Sequence, residues 1–136
     1  MSNNKLPGIN VQAPWARLLL EGKKQIETRT YALPEKYVGK DLWLIETPGS
    51  LGKFKARVIG VIRFSECKEY ISKDEFNSDV DLHLINPDNQ EYRWRAGIKK
   101  FGWTVERVRR IEEFKAPFPR GIVYASPFEA PVGRHE

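Results

Sequence analysis

The feature that most restricts the fold is a succession of short strand candidates separated by turn-forming residues. The candidates are Gly8–Gln12, Gln25–Tyr31, Asp41–Glu46, Lys55–Phe64, Thr104–Phe114 and Gly121–Tyr124. Proline and glycine clusters such as Pro48–Gly52 indicate turns between them. Short strands with turns between them favour a barrel or sandwich over a parallel sheet with crossover helices. We therefore predict an α+β fold, a small mixed β-barrel of about six strands with a helical or loop insertion.

One domain accounts for this pattern. The chain has 136 residues, enough to bury a sizeable apolar core in a single unit. We expect a flexible leader over residues 1–7, the domain over 8–125 and a proline-rich flexible tail over 126–136. Within the longest strand candidate, Gly60 interrupts a run of β-branched residues and predicts a bend or bulge.

A short helix is predicted directly before the second strand candidate, over Pro14–Glu21. Trp15, Leu18 and Leu19 recur at the i, i+3, i+4 spacing of one buried face. Proline is favoured in a first helical turn because it has no amide hydrogen to leave unpaired. Gly22 then provides the left-handed residue that commonly ends a helix.

A charged motif follows the helix. Along the strand that starts at Gln25, Glu27 and Arg29 are two residues apart and therefore project from the same face. Lys24 lies where the chain enters this strand. Two interpretations are open: an ordinary surface ion pair, or a group that binds and orients a polar or anionic ligand.

Charge is unevenly distributed over the second half of the chain. Residues 74–91 contain six acidic residues and neither lysine nor arginine, whereas residues 93–120 contain nine basic and three acidic residues. Ser72 and Glu75 predict the capped start of a short helix at the acidic segment, which we interpret as a solvated lid. The net charge of +5 favours an anionic partner, with nucleic acid first.

Other classes of site are disfavoured by composition. Cys67 is the single cysteine, so no intramolecular disulfide forms, and we interpret it as a packing residue. With only His83 and His135 as histidines, we expect no metal site, and no cofactor is indicated. No apolar run approaches the roughly 20 residues that span a bilayer. Residues 1–5 lack the apolar core of a signal peptide, so we expect a cytoplasmic protein.

The segment Trp15–Arg29 resembles the opening of an ASCH domain, a family of the PUA-like superfamily. That family carries a Gly-x-Lys-x-x-Glu-x-Arg run after a short helix, which falls here on Gly22, Lys24, Glu27 and Arg29. The resemblance implies a β-barrel whose cleft, beside the first helix, is lined by this lysine, glutamate and arginine. It also implies that the cleft binds RNA or a modified nucleoside.

The resemblance extends over roughly residues 8 to 125. Asp41–Glu46 and Ala56–Phe64 fit the next two barrel strands, and Trp103–Val105 with Arg120–Tyr124 would close the barrel. Lysine and arginine suit phosphates and base acceptors, a carboxylate accepts from an exocyclic amine, and aromatic rings stack on bases. The predicted ligand-binding residues are Lys23, Lys24, Glu27, Arg29, Tyr31, Trp15, Trp94, Trp103 and Arg107.

Two functions from different classes remain: a module that binds RNA or a modified nucleoside, and a hydrolase with Lys24 and Glu27 as an acid/base pair. Part of the family resembles N4-acetylcytidine amidohydrolases, which use the motif lysine, a threonine three residues later and a distant glutamate. Glu27 occupies the threonine position here, and Thr28 should point to the opposite face. Ribonuclease activity is also associated with the family. A third interpretation is an interaction domain with a vestigial cleft.

Overall fold

The computed structural model of the chain describes residues 5–48, 55–117 and 124–131. Six strands form one sheet in the order β2-β5-β4-β3-β1-β6. The strands are β1 (Leu6–Gln12), β2 (Ile26–Arg29), β3 (Asp41–Thr47), β4 (Arg57–Tyr70), β5 (Lys100–Lys115) and β6 (Tyr124–Phe128). The helices are α1 (Trp15–Leu20), α2 (Lys73–Ser78) and α3 (Val80–His83), with a 3₁₀ turn at Glu35–Tyr37.

The sheet is mixed. β1 runs parallel to β3, while the other four neighbouring pairs are antiparallel. The prediction of a mixed sheet of six strands with short helices is therefore confirmed. The two edge strands, β2 and β6, are not joined to each other by any ladder within the described ranges, so closure into a barrel remains a prediction.

Helix α1 covers one face of the sheet. The buried residues of the helix are Ala16, Leu19 and Leu20, which pack among the apolar residues of β1, β3 and β4. Trp15 and Leu18 of the predicted face are only partly buried, so the buried face lies one residue further along the helix than the spacing predicts. Arg17 anchors the helix at the side of this core, with ion pairs of 3.1 Å to Glu46 on β3 and 2.6 Å to Glu113 on β5. The helix is therefore held at a defined position just before the motif strand.

Several strands are longer than the sequence pattern indicates. β4 continues to Tyr70, and β5 begins at Lys100, so the two form a long antiparallel hairpin whose connection contains α2 and α3. β1 includes Leu6 and Pro7, which the pattern assigns to the leader, and β6 continues to Phe128, which the pattern assigns to the tail. The additional residues of β4 are mostly exposed and polar, so they carry little apolar alternation, whereas the additional residues of β5, 100–103, are mostly buried. Residues 121–123 of the last strand candidate and residues 49–52 of the predicted turn lie outside the described ranges.

The acidic segment forms α2 and α3. As predicted, Ser72 caps α2: its hydroxyl accepts from the Glu75 amide at 3.1 Å, while the Glu75 carboxylate accepts from the Ile71 amide. Phe76 is fully buried with Tyr70 and Ile85 in a small separate core, so the segment packs against the end of the long hairpin. No helix in the described ranges has the length and apolar character that crossing a membrane requires.

Gly60 lies at a bulge of the β4–β5 ladder, as predicted. A Cβ at this position would stand 2.6 Å from the carbonyl oxygen of Arg109, a backbone atom on the neighbouring strand. We expect Gly60→Ala to lower the free energy of unfolding by about 1–3 kcal/mol, because the strands must separate locally. Urea denaturation should show the loss, with Ser65→Ala on the same strand as the exposed control. Equal stability of the two variants would contradict this packing.

Candidate functional site

Strand β2 places Glu27 and Arg29 side by side. Its pairing with β5 sets Glu27 opposite Trp103 and Arg29 opposite Phe101. The Arg29 Nε donates to Glu27 Oε2 at 2.7 Å. The predicted projection of both side chains from one face is confirmed, because this contact requires it. Glu27 is almost completely buried, so the pair is not the solvated surface pair that the pattern also allowed.

The Arg29 guanidinium is fixed by three further contacts. It donates to the Tyr31 hydroxyl at 2.8 Å and to the Asn10 carbonyl of β1 at 3.0 Å. Its carbon lies 5.3 Å from the centre of the Trp103 ring, which supports it from the core side. The contact with Asn10 brings β1 and β2, which are not sheet neighbours, to the same site.

Lys24 is buried more deeply than its position at the start of a strand suggests. It is 1% exposed, donates to the carbonyl oxygen of His83 and lies 4.0 Å from Glu27. Its ammonium also lies 4.8 Å from the centre of the Trp15 ring. Burial lowers the pKa of Lys24 to about 8, an effect that the Glu27 carboxylate opposes and the Arg29 charge reinforces.

We define the motif cluster as Lys24, Glu27 and Arg29. Within the part of the chain that the structure describes, Glu27 is the one carboxylate in ion-pair distance of either cation. The cluster therefore holds one positive charge in excess at a site with little solvent. Desolvated charge that is not fully compensated is costly to maintain, and an anionic or electron-rich ligand would supply the missing compensation.

His83 contributes to the site through its backbone. Its Nδ1 accepts from the Ile85 amide at 2.9 Å, so Nε2 carries the hydrogen and donates to the Phe76 carbonyl at 2.7 Å. Burial lowers the pKa of His83, which keeps this ring neutral. Both ring nitrogens are thus engaged, and the residue orients the carbonyl that receives Lys24.

Tyr92 is a site residue that the sequence reasoning missed. Its ring packs edge-on against Trp15 at 5.9 Å, and its hydroxyl donates to the Gln12 side chain at 3.3 Å. The Lys100 ammonium donates to the Tyr92 carbonyl at 2.6 Å. Burial raises the pKa of Tyr92, and the charges of Glu91 and Glu27 add to this effect. No local signal marked this residue, because a loop of irregular backbone brings it to the site.

The predicted ligand-binding residues outside the motif cluster fall into two groups. Trp15 and Tyr31 contact members of the cluster. The other four lie apart from it or beneath it. Lys23 is exposed and pairs with Glu21, Trp94 packs near Phe76, Trp103 is fully buried with Phe64, and Arg107 lies 3.7 Å from Asp41. In this structure the Trp103 ring therefore has no free face for a base.

Metal ligands are not grouped anywhere in the described residues: no three histidine, cysteine, aspartate or glutamate side chains come together there. The motif cluster itself combines two cations with one carboxylate, a set that suits an anion and not a cation.

A mixed sheet with a helix before a charged motif strand defines a small β-rich domain with a buried charged site. The ASCH domain family model matches residues 9–129. The chain belongs to the ASCH domain family. No protein of curated function matches it in sequence.

Solved structures agree with the family. ASCH from Zymomonas mobilis superposes with a TM-score of 0.67 at 16% identity, covering 91% of this chain and 88% of that protein. A serine-to-alanine mutant of the Zymomonas mobilis protein gives a TM-score of 0.66 at 15% identity, with 93% and 90% covered. A tyrosine-to-phenylalanine mutant of it gives 0.66 at 16% identity, with 90% and 89% covered. At this identity the likeness establishes the fold alone.

Proposed function

We propose that this ASCH domain binds RNA or a modified nucleoside at the motif cluster of Lys24, Glu27 and Arg29. The observation that carries the proposal is an excess of positive charge: Lys24, which is buried, and Arg29, whose side chain is 15% exposed, share one carboxylate. A phosphate, or a base that presents carbonyl oxygens, would complete the cluster. Membership of a family whose PUA-like fold is associated with RNA binding agrees with this chemistry.

Each group at the site has a role in such binding. Arg29 and Lys24 donate to phosphate or base oxygens, and Glu27 accepts from an exocyclic amine. Tyr31 is 37% exposed and lies next to Arg29, so its ring offers a stacking surface for a base. Trp15 and Tyr92 border the other side of the cluster, beside Lys24.

The test is a screen of nucleosides, acetylated nucleosides and short single-stranded RNA by thermal shift, followed by titration of the ligand that stabilises the protein. Because the pKa of Lys24 is about 8, we expect affinity to be constant below pH 7 and to fall as pH rises through 8. Salt should weaken binding if phosphates take part. Absence of stabilisation by every ligand would refute the proposal, as would affinity that is flat from pH 7 to 9.

A second candidate is a hydrolase that acts on a modified nucleoside or on RNA. The observation that favours it is the lowered pKa of Lys24, 4.0 Å from Glu27, because a group that titrates near neutral pH suits acid/base catalysis. Mass spectrometry of the same incubations distinguishes the two functions. Accumulation of a product, at a rate whose pH profile has a basic limb near pH 8, indicates an enzyme. A ligand that is bound but chemically unchanged indicates a binding module.

A further inference from the structure

A groove of about 500 Å³ lies apart from the motif cluster, at the beginning of β1. Leu6 and Pro7 form one wall, and the segment from the 3₁₀ turn to the start of β3 forms the other. This segment supplies Lys36, Tyr37 and Lys40. The volume lies within the range of typical small-ligand pockets, and the groove is open to solvent.

The groove has an excess of positive charge. Asp41 lies 2.9 Å from Arg63 and 3.7 Å from Arg107, and Glu106 lies 3.9 Å from Arg63, so the two arginines and two carboxylates compensate one another. Within the described ranges, no carboxylate lies in ion-pair distance of Lys36 or Lys40. Lys36 instead lies over the Tyr37 ring, 5.1 Å from its centre. Two lysines are thus available for an anion.

Strand β1 links the groove to the motif cluster. Pro7 lines the groove, and the Asn10 carbonyl receives Arg29. Three residues of extended strand span roughly 10 Å, which matches about three phosphates at the spacing of about 3.4 Å along one strand of a duplex. The two sites are therefore within reach of one nucleic acid strand.

Tyr124 lies between the two sites. It pairs with Ile9 of β1, and its ring packs 5.1 Å from that of Tyr37. Its hydroxyl is buried and has no hydrogen-bond partner in the described part of the chain. Burial raises its pKa to about 12, with Tyr31 and Tyr37 adding to the effect and Arg29 opposing it. A buried polar group without a partner is uncommon, and here it lies between two positively charged sites.

We propose that Lys36 and Lys40 hold backbone phosphates of a single-stranded RNA, and that a base about three nucleotides further along the same RNA occupies the motif cluster. The inference rests on the proposed function and makes it more specific: the ligand is a polymer and not a free nucleoside.

The test compares Lys36→Ala/Lys40→Ala with Lys73→Ala/Lys115→Ala, which removes the same charge from exposed lysines outside the groove. Affinity for a single-stranded RNA oligonucleotide and for a nucleoside is measured at several salt concentrations. We expect the groove variant to lose about tenfold or more in RNA affinity. Its salt slope should fall by about 1.4, the value for two phosphate contacts on a single strand. Nucleoside affinity should be unchanged, and the control should bind RNA nearly as wild type does.

Tyr124→Phe is a second control, at a position between the two sites. Because its hydroxyl is buried and has no partner in the described part of the free protein, its removal should leave thermal stability unchanged or raised, and affinity for RNA and for the nucleoside unchanged. Groove variants that match their control in RNA affinity and salt slope, with nucleoside binding intact, would overturn the groove proposal alone. A wild-type protein that binds neither nucleoside nor RNA would overturn the proposed function as well.

Discussion

Glu27→Gln should destabilise the protein by about 3 kcal/mol at pH 7, near the lower end of the cost of breaking a buried ion pair. The carboxylate is the shared counterion of Lys24 and Arg29. Once it is neutral, Lys24 can release its proton, since its pKa is already lowered to about 8. Arg29 cannot do the same, because a guanidinium stays protonated in proteins. The cost therefore arises mainly from an arginine that is 15% exposed and has lost its anion.

Glu46→Gln is the matched control for this variant. Glu46 is also buried and also binds an arginine, at 3.1 Å, but its partner Arg17 is 35% exposed and keeps Glu113 as a second carboxylate. We expect a loss below about 1 kcal/mol there. Urea denaturation followed by tryptophan fluorescence measures both. Equal losses for the two variants would mean that the motif cluster is an ordinary ion pair and carries no special electrostatic cost.

The local geometry of the site could be predicted from the sequence because it follows from short-range rules. The alternation of a strand determines that Glu27 and Arg29 share a face, and their 2.7 Å contact confirms it. The Ser72 cap and the Gly60 bulge are predictable for the same reason, since each depends on residues within one turn or one strand. Membership of the ASCH family follows likewise from the motif, and the family model confirms it.

The burial of the site could not be predicted, because residues far along the chain create it. Lys24 donates a hydrogen bond to the carbonyl oxygen of His83, which is 59 positions away in the sequence. His83 belongs to a segment whose composition indicates a solvated lid. Tyr92 reaches Trp15 through a loop without periodicity. Trp103 is a candidate for stacking on a base because it lies in a basic segment, yet its alternation along β5 directs it into the core. A sequence pattern specifies which side chains share one face of a strand or helix. Which of these faces is buried depends on packing against residues that are distant in the sequence.

Lys24→Met should remove ligand binding and leave the fold as stable as wild type, or more stable by up to about 2 kcal/mol at pH 7. Burial lowers the pKa of Lys24 from 10.5 to about 8, and a shift of this size corresponds to roughly 3 kcal/mol of lost stability when the lysine is charged. Methionine has similar volume and no charge to desolvate. The gain is offset by about 1–3 kcal/mol, because the His83 carbonyl loses its donor.

The pH dependence of the difference in stability between Lys24→Met and wild type identifies the cause of that difference. Between pH 8 and 10.5 the folded wild type binds fewer protons at Lys24 than the unfolded chain does, so its stability rises with pH in this window relative to the variant. Below pH 8 both states of the wild type carry the proton, and the advantage of methionine is constant. The advantage should therefore shrink from about pH 8 to 10.5 and show no trend from about pH 6 to 7.5.

Denaturation and ligand titration of Lys24→Met, with Lys73→Met as the exposed control, measure the two effects together. Loss of binding without loss of stability is typical of a residue retained for function at a cost to the fold. A variant that is several kcal/mol less stable than wild type would instead make Lys24 a structural residue, whose contact with His83 attaches the α2–α3 segment to β2. In that case the protein groups around Lys24 would already compensate its positive charge. The motif cluster would then have no excess charge with which to bind a ligand.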